Sequence, residues 1–245
     1  MPGAWEAKPV SILVAILTRE VVHMSWTMGL KSLILPGGVI STLTGMPFDH
    51  ARNMACQQAI EGKFTHLFFL DDDTIPPHDA VVRLLQHNVP IVSGVYYRRS
   101  PPIGIPVMLR DVFDSNGKLR GRQHVEQYKI PDLIEVDYVG SGCLLIKREV
   151  LEQCPPQTRE CPKCKVEYPS EHRWFDWAVD RHDLPPDRRL SEDYTWNAHV
   201  RRHGYKILVD TSIQCRHVGW AEARLERQGK NIGPVFIPAD VRCQA

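Results

Sequence analysis

The sequence of 245 residues lacks the marks of several protein classes. Its 30 Lys and Arg balance 29 Asp and Glu, so it lacks the basic excess typical of duplex nucleic-acid binding by phosphate neutralisation. It contains no apolar stretch of the roughly 20 residues that cross a bilayer, since the run at 10–17 is short and is interrupted by Ser11. It also lacks repeats and low-complexity tracts. We therefore expect a globular, soluble and cytoplasmic protein.

The seven cysteines do not form an obvious disulfide framework, because their number is odd and their spacing uneven. Reduced thiols fit a cytoplasmic chain. Cys154, Cys161 and Cys164 nevertheless fall within eleven residues, and with His172 they spell C-x6-C-P-K-C-x7-H. A C-x-x-C element is the usual half of a zinc site, although the spacing of the other half is irregular. Two interpretations stay open, a structural Zn²⁺ site or reduced loop thiols.

The first half of the sequence alternates strand and helix signals. Apolar runs at 10–17, 39–43, 66–70 and 91–95 predict buried strands, while 21–33, 51–59 and a segment opening at Pro76-Pro77 predict the helices between them. Asp49 is the predicted N-cap of the second helix and Gly62 its predicted stop. This alternation predicts an α/β sheet, in which ligands bind at the carboxyl ends of the strands.

The second half changes character. Strand signals at 105–109 and 133–139 flank a turn at Ser115-Asn116-Gly117, and an apolar run at 143–146 follows Gly140-Ser141-Gly142. Residues 152–190 are rich in Pro, Cys and charge without a clear period, which predicts an insertion or a long loop. A helix is expected at 191–203, capped by Ser191 and stopped by Gly204, with short strands at 206–209 and 213–217.

Three adjacent carboxylates, Asp71-Asp72-Asp73, end the third predicted strand. They repel one another unless water or a cation holds them, and carboxylate oxygens are ligands that Mg²⁺ and Mn²⁺ prefer. His217, after the last predicted strand, is a competent further ligand. A solvated acidic turn is the simpler alternative for the triplet, and a structural role is the simpler one for His217.

Two further segments carry candidate chemistry. Glu192 and Asp193 open the predicted helix at 191–203, where acidic residues favour the helix dipole and an oriented carboxylate also suits a general base. Arg52, early in the helix before the acidic strand, is suited either to a diphosphate or to a surface ion pair.

These segments, in this order, resemble the glycosyltransferases of the GT-A fold, especially the family 2-like enzymes of bacteria and phages. Those enzymes open with an apolar strand ending near Thr-Arg, as Ile16-Leu17-Thr18-Arg19 does here, followed by an Ala-Arg-Asn helix and a strand with an Asp-x-Asp motif. A Glu-Asp helix and a His-bearing strand close the pattern, here Ser191-Glu192-Asp193-Tyr194 and 204–217. The resemblance covers about residues 10–219. It implies a GT-A-like, Rossmann-type mixed sheet flanked by helices in a single α/β domain.

The resemblance also implies a role for each matching residue. The donor would be a nucleotide sugar, with UDP favoured and GDP second. Its binding residues would be Thr18, Arg19, Arg52, Asp71 and Asp72. Mn²⁺ or Mg²⁺ would be held by Asp73 and His217, with Asp71 beside them. Asp193 would be the base that deprotonates the acceptor hydroxyl, with Glu192 as the fallback, which implies inversion at the anomeric carbon.

On the same grounds, the acceptor pocket would be shaped by Gly140, Ser141, Gly142 and Trp196. The acceptor itself stays open between a glycan, a protein, a small molecule and a modified base in DNA. Residues 10–95 would form the nucleotide-binding half, 96–219 the acceptor and catalytic half with the 152–190 insertion, and 220–245 a C-terminal tail.

Two other classes compete with this interpretation. The haloacid-dehalogenase-like phosphatases also have a strand ending in Asp-x-Asp, but they want Thr or Val where Ile75 stands and normally carry the acidic pair on the first strand. A zinc-containing nucleic-acid-binding module could be built around Cys161-Pro162-Lys163-Cys164, although the balanced charge argues against it.

Overall fold

The structure, a computed structural model, describes residues 9–98, 104–156, 173–176 and 190–219, together with the backbone of 159–160, 167–168, 221–228 and 231–238. In chain order its elements are β1 (Ile12–Thr18), α1 (Met24–Ser32), β2 (Gly38–Thr44), α2 (Phe48–Glu61), β3 (His66–Asp71), β4 (Thr74–Ile75), α3 (Ala80–Gln86), β5 (Ile91–Val95), β6 (Met108–Phe113), β7 (Leu119–His124), β8 (Leu133–Val136), β9 (Tyr138–Val139), β10 (Cys143–Lys147), α4 (Arg148–Gln153), β11 (Arg159–Glu160), β12 (Glu167–Tyr168), α5 (Glu192–Arg202), β13 (Ile207–Gln214), β14 (Arg216–His217), β15 (Ala221–Gln228) and β16 (Asn231–Pro238).

The centre of the fold is a seven-stranded mixed sheet with the order β2-β1-β3-β10-β5-β13-β8. Strand β1 runs parallel to β2 and β3, and β13 runs parallel to β5. Strand β10 lies between β3 and β5 and is antiparallel to both, and β8 is antiparallel to β13. The α/β prediction is thus confirmed, with a mixed rather than a purely parallel sheet.

Both faces of the sheet are buried at its central strands, whose successive side chains point to opposite faces. In β1, Leu13, Ala15 and Leu17 pack into one core, and Ile12, Val14 and Ile16 pack into the other. Helices α2, α4 and α5 cover the first face, and α1 and α3 cover the second. This burial on both sides explains why the strands appear in the sequence as continuous apolar runs.

Three smaller sheets surround the central one. Strand β14 joins β4 to β15 and β16 in a four-stranded sheet, and β6 lies between β7 and β9 in a three-stranded sheet. Strands β11 and β12 pair only with each other. The pairing of β4 with β14 matters most for function, because β4 directly follows the aspartate triplet.

Several sequence-based boundaries are wrong. Helix α2 begins at Phe48 after Pro47, so Asp49 lies inside its first turn and is not the N-cap, whereas Gly62 does cap its C-terminus. Helix α3 begins only at Ala80, because Pro77 accepts a turn hydrogen bond from the Ala80 amide at 3.0 Å. The single strand expected at 133–139 is two strands in different sheets, β8 and β9.

Ser191 is confirmed as the N-cap of α5, since its hydroxyl oxygen accepts a hydrogen bond from the Tyr194 amide at 3.4 Å. Gly204 follows α5 with a φ of 84°, a left-handed conformation that glycine adopts without strain. Within the described part of the chain, no helix is both long enough and apolar enough to cross a membrane.

Candidate active site

The acidic triplet lies at the carboxyl end of β3, next to the carboxyl end of β1. Two backbone contacts fix the start of the triplet: Trp26 Nε1 donates to the Asp71 carbonyl oxygen at 2.9 Å, and the Asp71 amide donates to the Gly142 carbonyl oxygen at 3.3 Å. Thr18 and Arg19 leave β1 beside it, and the Arg19 amide donates to Asp72 Oδ2 at 3.2 Å. The two strand ends therefore form one continuous polar edge.

His217 reaches this edge through the pairing of β4 with β14, in which His217 lies opposite Thr74. The Val218 amide donates to the Asp73 carbonyl oxygen at 2.7 Å, which ties the two segments together. As a result His217 Nε2 lies 3.2 Å from Asp73 Oδ1, with both side chains only partly buried. Two residues that are far apart in sequence thus face each other at the surface of the site.

The imidazole of His217 is oriented by its other nitrogen. Nδ1 lies 2.7 Å from the Tyr97 carbonyl oxygen, and a carbonyl oxygen can only accept, so Nδ1 carries a proton. The other ring nitrogen, Nε2, then faces the Asp73 carboxylate, where the two groups could bind a cation together.

The separation of this pair suits a divalent cation. Two neighbouring ligands at about 2.1 Å from an octahedral ion lie about 3.0 Å apart, close to the Nε2–Oδ1 distance of 3.2 Å. Among the described residues, however, no three His, Cys, Asp or Glu side chains form a ready metal site. Asp73 and His217 therefore fit an ion whose other ligands come from water or substrate, as Mg²⁺ commonly takes.

A second charged group, the Arg52 cluster, lies deeper: Arg52 with the carboxylates of Asp71, Glu192 and Asp193. Arg52 is 3% exposed, and its Nη2 lies 3.2 Å from Asp71 Oδ1. Its Nε lies 3.0 Å from Asp193 Oδ1 and 3.5 Å from Glu192 Oε1. One guanidinium thus joins α2, the end of β3 and the start of α5.

The pKa values in this cluster follow from burial and from the excess of three carboxylates over one guanidinium. Burial raises the pKa of Glu192 to about 7, the Asp193 charge adds to the effect, and Arg52 opposes it. Burial likewise raises the pKa of Asp71 to about 6 against the opposing effect of Arg52. Burial alone would lower the pKa of Arg52, but the surrounding carboxylates outweigh it and raise that pKa. The guanidinium therefore stays charged.

The Asp193 carboxylate has a second partner. Ser141 Oγ donates to Asp193 Oδ1 at 2.6 Å, from the loop between β9 and β10. The same oxygen is the one near Arg52 Nε. The N-terminal position of Asp193 on α5 adds the favourable helix dipole.

Two clefts open beside these groups. The larger, about 620 Å³, lies between the ends of β1 and β2, and its walls include Leu17, Thr18, Leu43 and Phe48. The smaller, about 260 Å³, has Arg19 and His23 on its walls together with Asp72 and Asp73. The Arg19 guanidinium lies 5.4 Å from the centroid of the Phe48 ring, and both residues line both clefts.

His23 is a residue of the smaller cleft that carried no signal in the sequence. It is the N-cap of α1, and its Nδ1 accepts from the Ser25 amide at 3.3 Å. A neutral ring that accepts at Nδ1 carries its proton on Nε2. His23 can therefore donate a hydrogen bond into the cleft.

Two expected donor and metal contacts need correction. Asp71 was expected beside the metal, but its carboxylate is engaged by Arg52. Arg52 was expected to contact the nucleotide, but it is buried among carboxylates and has no surface to offer a diphosphate. Of the predicted ligands, the structure brings together Asp73 and His217.

The expected acceptor contacts also change. Trp196 is fully buried and stacks on Phe175, with ring centroids 5.2 Å apart, so it cannot face a sugar. Gly140 and Gly142 are buried against Tyr96, and a Cβ added to Gly140 would lie 1.9 Å from the Tyr96 hydroxyl oxygen. Their lack of a side chain admits Tyr96 and does not open a pocket. Ser141 alone of these residues reaches the site.

The cysteine cluster falls mostly outside the described residues. Cys161, Cys164 and His172 lie outside the described residues. Cys154 is described and is buried at the end of α4 with a free thiol, whose pKa burial raises to about 11. A buried neutral thiol gives the zinc interpretation no support.

Two residues missed by sequence reasoning support the Arg52 cluster. Asn53 Oδ1 accepts from the amides of Trp174 and Phe175 at 2.6 and 3.0 Å. Phe175 is fully buried and packs edge-on against Phe69. Trp174 and Phe175 lie in a segment without periodicity, so sequence reasoning did not predict this anchor. Its only signal was the pair of adjacent aromatic residues.

Comparison with solved structures identifies the type of fold. The crystal structure of A197 from STIV has a TM-score of 0.55 and 18% identity, over 94% of this chain and 94% of that chain. At this identity the likeness shows the fold alone, a single-domain, GT-A-like Rossmann-type arrangement.

GalNAc-T7, solved with UDP, GalNAc and Mn²⁺, has a TM-score of 0.46 and 11% identity, over 86% of this chain and 44% of that chain. That TM-score is too low to support an argument about this chain. No protein-family model and no curated protein matches the chain.

Proposed function

We propose that this protein is a metal-dependent glycosyltransferase that moves a sugar from a nucleoside-diphosphate sugar to an acceptor hydroxyl. The observation that carries the proposal is that Asp73 and His217 lie 3.2 Å apart, with Asp73 on the wall of the smaller cleft, while Arg52 joins Asp193 to the end of β3. Such a transfer needs two ligands for a cation, a cleft for the donor and a general base. In this proposal one edge of a GT-A-like sheet supplies all three.

The donor binds along the two clefts in this proposal. The larger cleft, with apolar walls from Leu17, Leu43 and Phe48, takes the base and ribose, with Thr18 and Arg19 at its polar end. The diphosphate lies in the smaller cleft, near Arg19 and the Nε2 donor of His23. Asp72, which accepts from the amide of Arg19, is the proposed ribose contact where the two clefts meet at Arg19. UDP is the favoured nucleotide, with GDP second.

Asp73 and His217 hold Mn²⁺ or Mg²⁺ in this proposal. When bound, the ion neutralises the negative charge that develops on the departing diphosphate. The chain's own contribution is to orient both ligands: Tyr97 sets the His217 tautomer, and the Val218 amide fixes the backbone of Asp73. Because both ligands are already oriented, less reorganisation is needed when the reaction takes place.

Asp193 acts as the general base. Its carboxylate takes the proton of the acceptor hydroxyl as the new oxygen–carbon bond forms at the anomeric carbon. The bond from that carbon to the diphosphate oxygen breaks, and the electron pair leaves with the diphosphate. Attack opposite the leaving group inverts the anomeric configuration. Glu192 fits this task less well, because its side chain is only 6% exposed, against 16% for that of Asp193.

The two halves of the chain divide these tasks. Residues 10–95 supply the donor clefts and Asp73, whereas 96–219 supply Asp193, Ser141 and His217. The acceptor remains a glycan, a protein, a small molecule or a modified base in DNA. The phosphatase alternative is disfavoured because Asp71, which would be its nucleophile, is held by Arg52.

Donor cleavage tests the proposal without a known acceptor, because water can replace the acceptor hydroxyl. The full chain is incubated with a panel of UDP- and GDP-sugars, with Mn²⁺ or with EDTA, and the released nucleoside diphosphate is measured. We expect Mn²⁺-dependent release from at least one UDP-sugar. The variant Asp193→Asn should bind UDP with Mn²⁺ normally and lose about 10²- to 10⁴-fold in cleavage.

Asp79→Asn is the matched control, because Asp79 is an exposed carboxylate paired with Arg83 and lies outside the site. It should leave both binding and cleavage unchanged. Absence of Mn²⁺-dependent UDP or GDP binding, together with absence of cleavage across the panel, would contradict the proposed function.

A further inference from the structure

Arg52 is the most buried charged side chain in the site region, yet the proposed reaction has not so far used it. It touches neither cleft wall, and its contacts are carboxylates and aromatic rings. Its nearest partner is Asp193, at 3.0 Å from Nε to Oδ1. A buried cation that contacts the proposed base but no substrate surface must act through that base, if it acts in the reaction at all.

Two contacts of the Asp193 carboxylate are made with the same oxygen, Oδ1. Arg52 Nε and Ser141 Oγ both approach Oδ1, at 3.0 and 2.6 Å. Two contacts on one oxygen, from α2 and from the loop before β10, fix both the position and the plane of the carboxylate. The second oxygen, Oδ2, is then the one turned toward an acceptor. The positive charge of Arg52 also attracts the Asp193 carboxylate more strongly than a neutral side chain at the same distance would.

Arg52 is itself held in place on several sides. Its guanidinium carbon lies 5.3 Å from the centroid of the Phe69 ring and 5.9 Å from that of Phe175. Its Nη2 is anchored to Asp71 at the end of β3. The side chain therefore has little room to move when a substrate binds. A rigid support is what the orientation of a general base requires, since small displacements cost large factors in rate.

We propose that Arg52 is a positioning residue, whose buried guanidinium joins the end of β3 to Asp193 and presents Oδ2 of that carboxylate to the acceptor. This inference rests on the proposed function, because it takes Asp193 as the base. From the sequence, Arg52 was expected to contact the donor nucleotide. In this inference Arg52 contacts Asp193 instead and acts on the reaction through that carboxylate.

Three variants test the proposal: Arg52→Gln, Arg52→Lys and the control Arg83→Gln. Arg83 is also an ion-paired arginine on a helix that covers the sheet, but its partners are Asp79 and Asp210 outside the site. Each variant is assayed for Mn²⁺-dependent cleavage of the UDP-sugar that the wild type cleaves. The crystal structure of Arg52→Gln is also determined, which gives a readout independent of activity.

For Arg52→Gln we expect kcat to fall roughly 10²-fold while the KM for the donor stays within about threefold. The kcat of Arg52→Lys should be about tenfold higher than that of Arg52→Gln but still below that of the wild type. An ammonium group keeps the charge but cannot hold two carboxylates with separate nitrogens. Arg83→Gln should change neither constant. In the crystal structure of Arg52→Gln, the Asp193 carboxylate should be rotated from its wild-type orientation.

Two kinetic results would overturn the inference. An unchanged kcat in folded Arg52→Gln would remove the positioning role, and a rise of about 10²-fold in KM with an unchanged kcat would show a direct donor contact instead. An Asp193 carboxylate that keeps its orientation in the crystal structure of the variant would overturn it too. If the wild type neither binds nor cleaves any donor, the proposed function fails, and the crystal structure still decides whether Arg52 positions Asp193.

Discussion

Asp71, the last residue of β3, and Asp73, two positions further along the chain, have different partners. Asp71 faces inward to the guanidinium of Arg52, which is 3% exposed and built into the chain. Asp73 faces outward to His217, at a place where both side chains keep contact with solvent. The carboxylate of Asp71 has a permanent positive partner, whereas that of Asp73 faces an imidazole, with which it would hold the proposed metal.

This difference explains how three adjacent carboxylates are tolerated. Repulsion within the triplet is relieved in three directions, because Asp71 bonds to Arg52, Asp72 accepts the Arg19 amide and Asp73 faces His217. The inner contact stabilises the fold around the proposed base, and the outer one is left for the proposed metal. Buried charge pairs are costly to break and exposed ones less so, which predicts distinct effects for the two aspartates.

Asp73→Asn should have the largest effect. The amide cannot supply an anionic ligand, so we expect Mn²⁺-dependent donor cleavage to fall by about 10³-fold, or about 4 kcal/mol of transition-state stabilisation. Asp71→Asn is the matched variant, and it should keep the Mn²⁺ concentration for half-maximal cleavage within about threefold of wild type. The measurement is cleavage rate against Mn²⁺ concentration. If both variants lose the Mn²⁺ dependence of cleavage equally, the proposal that only Asp73 binds the metal is contradicted.

Glu192→Gln should have a smaller effect, on stability. The folded protein holds the Glu192 proton up to about pH 7, whereas the unfolded chain releases it near 4.5, so this group costs stability as pH rises between those values. Glutamine does not titrate. We therefore expect the variant to gain about 2 kcal/mol in unfolding free energy at pH 8 and almost nothing at pH 4.5, measured by urea unfolding.

Glu152→Gln is the control for that experiment, since Glu152 is an exposed partner of Arg148 on α4. Its unfolding free energy should change by less than about 0.5 kcal/mol at either pH. Equal gains for Glu192→Gln at both pH values would mean that its charge is not the cause.

His23→Asn should have the smallest effect. Asparagine remains a good N-cap for α1 but loses the Nε2 donor of the smaller cleft. We expect the KM for the donor to rise about fivefold, near 1 kcal/mol, with kcat unchanged. The thermal midpoint, measured in parallel, should stay at the wild-type value. A lowered kcat with an unchanged KM would place His23 outside donor binding.

Much of the fold could be predicted because a strand that is buried on both faces appears in the sequence as a continuous apolar run. The runs at 10–17 and 91–95 are strands β1 and β5, within a residue or two. Strand direction leaves no such mark: the apolar run at 143–146 predicts burial for β10 but not that it runs antiparallel to both neighbours. Helix starts near proline were also misplaced, because turn geometry at Pro47 and Pro77 depends on contacts beyond the local sequence.

The site was less predictable than the fold. The meeting of Asp73 with His217 was predicted from a resemblance that covers about residues 10–219, since nothing local connects β4 with β14. The Arg52 cluster was missed because an arginine's partners depend on how α2 and α5 pack on one face of the sheet. Trp196 was misjudged for the same reason: an indole looks alike in sequence whether it stacks on Phe175 or faces a cleft.

The pairing of β4 with β14 has a consequence for the order of events during synthesis. Asp73 emerges from the ribosome early, but its partner His217 follows only after all seven strands of the central sheet have been made. A nascent chain can therefore build the larger cleft, whose lining residues lie within 17–51, before His217 can reach Asp73. Under the proposed function, sugar transfer would begin only after β14 is added, when the core beneath this edge is complete.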